Sequence, residues 1–259
     1  MLAPVAPAAF DPGHDIPLGI VPERMHAWTI RREAHGDPST AFQREIVDVP
    51  AIGPDEVLVL VMAAGVNYNG VWAALGHPVS PMDFHDHPFH IAGSDASGIV
   101  WAVGSNVRNW RVGDEVIAHC CQVGGDDEEC NGGDPMLSPT QKIWGYETSY
   151  GAFAQFTRVQ AAQLLPKPRH LTWEASACYT LVLATAYRML FGHVPHVVGP
   201  GKTVLVWGAA GGLGSMAIQL ATVVGARAIA VVSDEAKAAH ARKLGAAATI
   251  NRTQFDCWG

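Results

Sequence analysis

The chain has 259 residues, 49% of them hydrophobic and 16% charged, which suits a globular protein of one or two domains. A net charge of −7 and a pI near 5.9 argue against nucleic acid as the main partner. No apolar run approaches the roughly 20 residues that span a bilayer. The five cysteines (Cys120, Cys121, Cys130, Cys178 and Cys257) follow no disulfide spacing, which fits a reducing cytoplasm.

Residues 1–25 lack the basic start and compact apolar segment of a signal peptide. Their prolines and small residues predict an arm lying over the surface. From residue 26 to 165 the chain alternates short β-like runs with Gly, Pro and Asp. "EVLVLVMAAGVN", "ASGIVWAVG", "GDEVIAHC" and "AFAQFTRV" are rich in valine and aromatics, and turn chemistry such as "VGDE" separates them. The pattern predicts a small, partly open β-barrel. At the end of the first of these runs, "GVNYNGVW" sets Asn67 and Asn69 around a tyrosine.

Residues 166–259 have a different period. "LTWEASACYTLVLATAYRMLF" predicts one helix with Thr172 as N-cap. "KTVLVWGAAGGLGSMAIQLATVVGA" then reads as buried strand, glycine turn and apolar helix. "AIAVVS" is a second buried strand, "DEAKAAHARKLG" a helix closed by Gly245, and "AATI" a third strand. This βαβαβ order calls for a right-handed parallel sheet. A doubly wound dinucleotide fold takes two such halves. Three strands alone leave a sheet edge open and an apolar face uncovered. The expectation is therefore the front part of a longer protein, against the alternative of a small fold ending at residue 259.

The turn "WGAAGGLG" spaces Gly208, Gly211 and Gly214 as G-x-x-G-x-x-G, with Gly212 and Leu213 at the helix entry. Pyrophosphate needs a backbone it can approach closely and the free N–H groups of a helix N-terminus. A glycine turn alone is a weak signal, but strand, turn, helix and second strand occur here in the required order. At the end of the second strand stand Ser233, Asp234, Glu235 and Lys237, and Arg252 follows the third. A hydroxyl and cations suit the 2′-phosphate of NADPH, while Asp234 leaves NADH open. Lys237 and Arg252 are otherwise solvated charges.

A β-rich half joined to a dinucleotide fold resembles the medium-chain dehydrogenase/reductases, with their GroES-like and Rossmann domains. Where the zinc alcohol dehydrogenases offer a ligand cysteine this chain has "VNYNG", and Ser94 of "AGSDASG" stands at their ligand histidine. The four-cysteine lobe spacing is missing too. His77, His85, His87 and His90 match no compact site and read as surface or packing histidines. "DDEE" at 126–129 reads as a solvated loop. No metal is expected.

Within that superfamily, "VNYNGVW", "HIAGSDASGIV", "QKIWGYETSYGAFAQF", "PKPRHLTWEASACYTLVLATAYRML" and "INRTQFDCWG" resemble the crotonyl-CoA carboxylase/reductases. The resemblance implies hydride transfer from NADPH to the β-carbon of crotonyl-CoA. Attack of the enolate on CO2 then gives ethylmalonyl-CoA. It implies that Asn69 donates to a CO2 oxygen, that Asn67 supports the strand end or faces the nicotinamide, and that Glu147 orders a water. Tyr146, where the family pattern has Phe, screens the pocket. Thr185 approaches the nicotinamide. Read from the residues alone, Glu147 is a surface carboxylate, Tyr146 packs under a loop and Thr185 packs or caps. The family also implies homo-oligomers built from dimers and a histidine at the CO2 pocket from beyond residue 259. A plain NADPH-dependent enoyl-CoA or quinone reductase is the nearest alternative, and a non-catalytic dinucleotide-binding fragment is another.

Overall fold

The computed structural model describes residues 17–195 and 197–255; the first part of the expected arm and Cys257 lie outside them. The chain divides into two compact units, Met1–Thr180 and Leu181–Gly259. No helix among the described residues is long and apolar enough to cross a membrane.

In the first unit, β1 (Arg24–Thr29) leads through α1 (Pro38–Ala41) to its antiparallel partner β2 (Gln43–Asp48). Then follow β3 (Glu56–Ala64), α2 (Tyr68–Leu75), β4 (Ala96–Val103), β5 (Glu115–Ala118), the short pair β6 (Cys121–Gln122) and β7 (Lys142–Ile143), β8 (Phe156–Gln160), β9 (Leu164–Pro166) and α3 (Trp173–Ala177). Five of these strands form an antiparallel sheet in the order β8-β3-β4-β5-β9.

That order explains the barrel character. The edge strands β8 and β9 are separated only by residues 161–163, yet lie at opposite ends of the sheet. Five flat strands would set those edges about 19 Å apart, and the few linking residues reach about 14 Å at most. The sheet must curl. Two register shifts between β3 and β4 supply the bend. At the bend Gly98 is obligatory, because a Cβ there would lie 2.2 Å from the Leu60 carbonyl oxygen. No ladder joins β8 to β9, so the barrel stays open.

The run at β3 is continuously apolar because both its faces are covered. Val57 and Val59 pack with Val100, Val116, Trp144 and Val159 on one side. Leu58 packs with Met25, Phe89, Ile91, Trp101 and Phe156 on the other. The chain entering β1 lies along the sheet, where Trp101 Nε1 donates to the Ile20 carbonyl.

Thr172 caps α3 as the sequence predicts, its Oγ1 accepting from the Ala175 amide at 3.2 Å. The single helix expected there is divided. α3 ends at Ala177, and α4 (Thr180–Phe191) begins after Cys178 and Tyr179. The reason is tertiary. The Ala177 carbonyl abuts Gly65, where a Cβ would lie 2.2 Å away.

The second unit continues with β10 (Thr203–Val206), α5 (Gly212–Val223), β11 (Arg227–Val232), α6 (Glu235–Lys243) and β12 (Ala248–Asn251). The strands are parallel in the order β10-β11-β12. Gly245, at φ +106°, follows the last turn of α6. The outer edge of β10 pairs with no strand among the described residues, and Leu205 on it is exposed.

Candidate functional site

The first unit builds its site where β3 gives way to α2. Asn67 takes the extended N-cap conformation, but its side chain does not cap the helix. Its Nδ2 instead donates to Oδ2 of the fully buried Asp95. Asn69 lies in the first turn of α2, which begins at Tyr68 after β3 has ended at Ala64. Its Nδ2 donates to Ser94 Oγ at 2.8 Å, and Ser94 is itself buried. Asn67 and Asn69 are thus held by an amide–carboxylate and an amide–hydroxyl hydrogen bond. Among the described residues no group of three or more His, Cys, Asp or Glu is placed to hold a metal.

The "IWGYE" turn comes to the same place. Tyr146 and Glu147 donate their amides to the Ile143 carbonyl at 3.1 and 2.7 Å. Oε2 of Glu147 accepts the Ile143 amide at 2.5 Å, so one carboxylate oxygen is spent on the turn. Tyr146 donates its hydroxyl to the Val79 carbonyl at 2.8 Å while its ring packs with Ile30, Ala73, Ala74 and Ala92. Burial, and then the charge of Glu147, push the Tyr146 phenol up. Gly145 joins this turn to the other half of the site. It sits at φ +76°, and a Cβ there would fall 2.0 Å from the Gly93 carbonyl and 3.2 Å from the Ser94 amide. Ser94 therefore has Asn69 on its side chain and the Tyr146–Glu147 turn against its backbone.

The second unit holds a cavity of about 410 Å³ whose lining includes Gly208, Gly211, Ser233, Lys237 and Arg252. Gly208 has a left-handed φ of +60°. Gly214 lets α5 sit against the turn, since a Cβ would lie 2.6 Å from the Gly208 carbonyl. Gly212 and Leu213 open α5 but do not line the cavity. Thr185 does not line it either; its Oγ1 donates back to the Leu181 carbonyl at 2.8 Å. Trp207, Ala209 and Ala210 do line it. The sequence signal for them was their place inside the glycine turn.

The dinucleotide test falls on Asp234. It caps α6, accepting the Lys237 amide at 2.9 Å, and it also accepts from Ser233 Oγ at 3.1 Å. The Lys237 amide first and its ammonium second draw the carboxyl down to about 2. A carboxylate so committed is poorly placed to receive ribose hydroxyls. Lys237 Nζ stands 2.7 Å from Ser233 Oγ and 2.9 Å from Asp234 Oδ2. A cation and a hydroxyl beside the cavity, with Arg252 in its lining, suit a phosphate monoester.

Ser94, Asp95 and Gly145 are parts of this site that the sequence pattern does not mark as such. Ser94 and Asp95 were legible only as departures from a ligand motif, and Gly145 only as a turn residue.

Comparison with known proteins follows the same division. Residues 53–169 match the alcohol dehydrogenase GroES-like domain family, and residues 212–257 match the zinc-binding dehydrogenase family. The chain is 66% identical over 250 residues to the crotonyl-CoA carboxylase/reductase of Cereibacter sphaeroides, covering 96% of this chain and 58% of the relative. A solved crotonyl-CoA carboxylase/reductase superposes with a TM-score of 0.94 at 64% identity, covering 98% of this chain and 59% of that one. Another, AntE in complex with NADP, gives 0.92 at 49% identity, over 98% of this chain and 64% of that one. The chain thus spans somewhat over half the length of these relatives. The two matched domains are those of the medium-chain dehydrogenase/reductases, and over 96% of its length the chain is similar to a crotonyl-CoA carboxylase/reductase.

Proposed function

We propose that these residues belong to an NADPH-dependent reductive carboxylase that converts crotonyl-CoA to ethylmalonyl-CoA. The observation that carries the reading is the Asn69 amide fixed on buried Ser94. A primary amide has two N–H groups. Ser94 takes one, which sets the amide plane and leaves the other aimed without rotational freedom. CO2 is neutral and binds weakly, so a fixed donor is what an enzyme can offer it. The same donor stabilises the charge that grows on a CO2 oxygen as the bond forms.

When bound, NADPH supplies the hydride that turns the enoyl thioester into its enolate. Gly208, Gly211, Ser233, Lys237 and Arg252 would hold it. Keeping water away from the enolate falls to Tyr146, whose bond to Val79 ties the 143–147 turn to the loop after α2. A proton arriving there would give butyryl-CoA instead. Glu147 retains one carboxylate oxygen for an ordered water, its other being held by Ile143.

The test uses the protein expressed to its natural stop. It is given NADPH and crotonyl-CoA with and without bicarbonate, and the acyl-CoA product is weighed by mass spectrometry. Ethylmalonyl-CoA with bicarbonate is expected; butyryl-CoA under both conditions would make it an ordinary enoyl reductase. The cofactor reading has its own test. A charge-assisted hydrogen bond contributes roughly 1.5–3 kcal/mol. Lys237→Ala is therefore expected to raise KM for NADPH by about tenfold or more and to leave KM for NADH unchanged. Equal losses with both cofactors would remove Lys237 from the 2′-phosphate.

A further inference from the structure

Tyr146 keeps its place through a hydroxyl bond to the Val79 carbonyl, so the wall it forms is only as fixed as residues 76–83. Val79 is 45% exposed, and its own side chain does not anchor it. The anchor comes from the segment between β1 and α1. The His35 ring lies against Gly76, where a Cβ would come within 2.9 Å of ring Cγ and Cδ2. Nδ1 of His35 stands 3.2 Å from the Ala74 carbonyl, which also accepts the Gly36 amide at 3.0 Å. Its Nε2 stands 2.9 Å from Oγ of Ser80, the residue after Val79.

The partners decide the direction of these bonds. A carbonyl cannot donate, so Nδ1 carries a proton and gives it to Ala74. In the neutral ring Nε2 is then the acceptor, and the Ser80 hydroxyl donates to it. The same hydroxyl oxygen accepts the Met82 amide at 3.2 Å and caps the turn Pro81–Asp83. One side chain thus spans from the last turn of α2 to the residue beside Val79. Arg32 reaches the loop as well, donating to the Met82 carbonyl at 2.6 Å and to Asp83 at 2.8 Å. Its ion pair with Asp83 is more than half exposed on both sides, and such a pair contributes roughly 0.2–1 kcal/mol. It also grips the loop further along. The bond adjacent to Val79 is the one from Ser80 to His35.

We propose that His35 is a positioning residue for the choice of product. By fixing Ser80 it fixes the Val79 carbonyl, and through that carbonyl the Tyr146 side chain that keeps water from the enolate. The effect on product rests on the carboxylase reading; the hold of His35 on the loop does not.

The test uses the protein expressed to its natural stop, with NADPH, crotonyl-CoA and bicarbonate at about pH 8, and reads the butyryl-CoA share of the product. Glutamine at position 35 sets its Oε1 where Nε2 stands and still accepts from Ser80. Asparagine sets its amide where Nδ1 stands and does not reach Ser80. His35→Gln should keep the share within about twofold of the parent, while His35→Asn should raise it about tenfold and leave KM for NADPH unchanged. Tyr146→Phe breaks the same path at its other end. Adding His35→Asn to it should change the share by less than about twofold, because two breaks in one path do not add. Hydrogen exchange at the Met82 amide reads the loop itself. It should rise about tenfold in His35→Asn and stay within about twofold in His35→Gln. Equal shares in the two His35 variants, or effects of His35→Asn and Tyr146→Phe that multiply, overturn the proposal. Should His35→Asn fail to fold, Ser80→Ala breaks the bond from the loop side, and a butyryl-CoA share equal to the parent's overturns it. A parent that yields only butyryl-CoA removes the carboxylase reading. Exchange at Met82 then decides the hold on the loop, and equal rates in His35→Gln and His35→Asn overturn that too.

Discussion

Asn69→Leu is expected to lower ethylmalonyl-CoA relative to butyryl-CoA by about 100-fold while leaving NADPH oxidation by crotonyl-CoA within about threefold. Leucine matches asparagine in shape and favours a helix more, so α2 should keep its place. Gly70, Ala73 and Ala74, the buried face of α2, are untouched by the change. What disappears is the donor, and with it the partner of Ser94 Oγ. In the proposed reaction hydride transfer does not call on that donor, whereas the charge developing on CO2 does. Single-turnover NADPH oxidation reads the first step, and the mass of the product reads the second. An unchanged product ratio would remove Asn69 from the CO2 site. Ser94→Ala refines the argument, because it keeps the donor and removes what aims it. Its expected effect is intermediate, about tenfold on the product ratio. Equal effects of the two changes would mean that Ser94, rather than Asn69, is the group that matters.

How much of this was legible beforehand depended on how far apart the partners lie in the chain. The second unit is built from local instructions. Strand, glycine turn, helix and strand follow one another, and Gly208, Gly211 and Gly214 declare the turn between them. The order β10-β11-β12 follows from right-handed crossovers. The Thr172 cap was legible for the same reason, being a contact across three residues. The division of the helix after Ala177 was not, because apolar spacing runs straight through Cys178 and Tyr179. Its cause is the approach of Gly65, more than a hundred residues earlier in the chain. The site shows the same limit. Asn69 stood out by type and place, but its partner Ser94 is 25 residues on. Nothing local marks Ser94 as the residue that orients an amide. Asp95 was legible as a departure from a ligand motif and not as the buried partner of Asn67. Tyr146 could be read as pocket wall or as packing, and the structure gives it both a packed ring and a bonded hydroxyl.

Gly145→Ala is expected to lower the melting temperature by about 5–15 °C and to abolish carboxylation even in the fraction that folds. Two costs combine. An L-residue in the left-handed region costs roughly 1–2 kcal/mol. The new Cβ would also lie 2.0 Å from the Gly93 carbonyl oxygen and 2.6 Å from its carbon. Those atoms are backbone, so no side chain can rotate away, and overpacking of this kind adds roughly 1–3 kcal/mol. Gly125→Ala separates the two costs. Gly125 is also left-handed, at φ +90°, but nothing lies within 4 Å of its Cβ position. It should show the backbone cost alone, a shift of a few degrees at most. The larger loss at Gly145 is then the cost of moving the turn away from Gly93 and Ser94. NADPH binding should survive, because the cradle of Gly208, Lys237 and Arg252 lies in the other unit. A Gly145→Ala protein that melts like Gly125→Ala would mean the turn can leave Ser94 without cost. Tyr146 and Glu147 would then have no fixed relation to Asn69, and the CO2 pocket would have to be sought elsewhere.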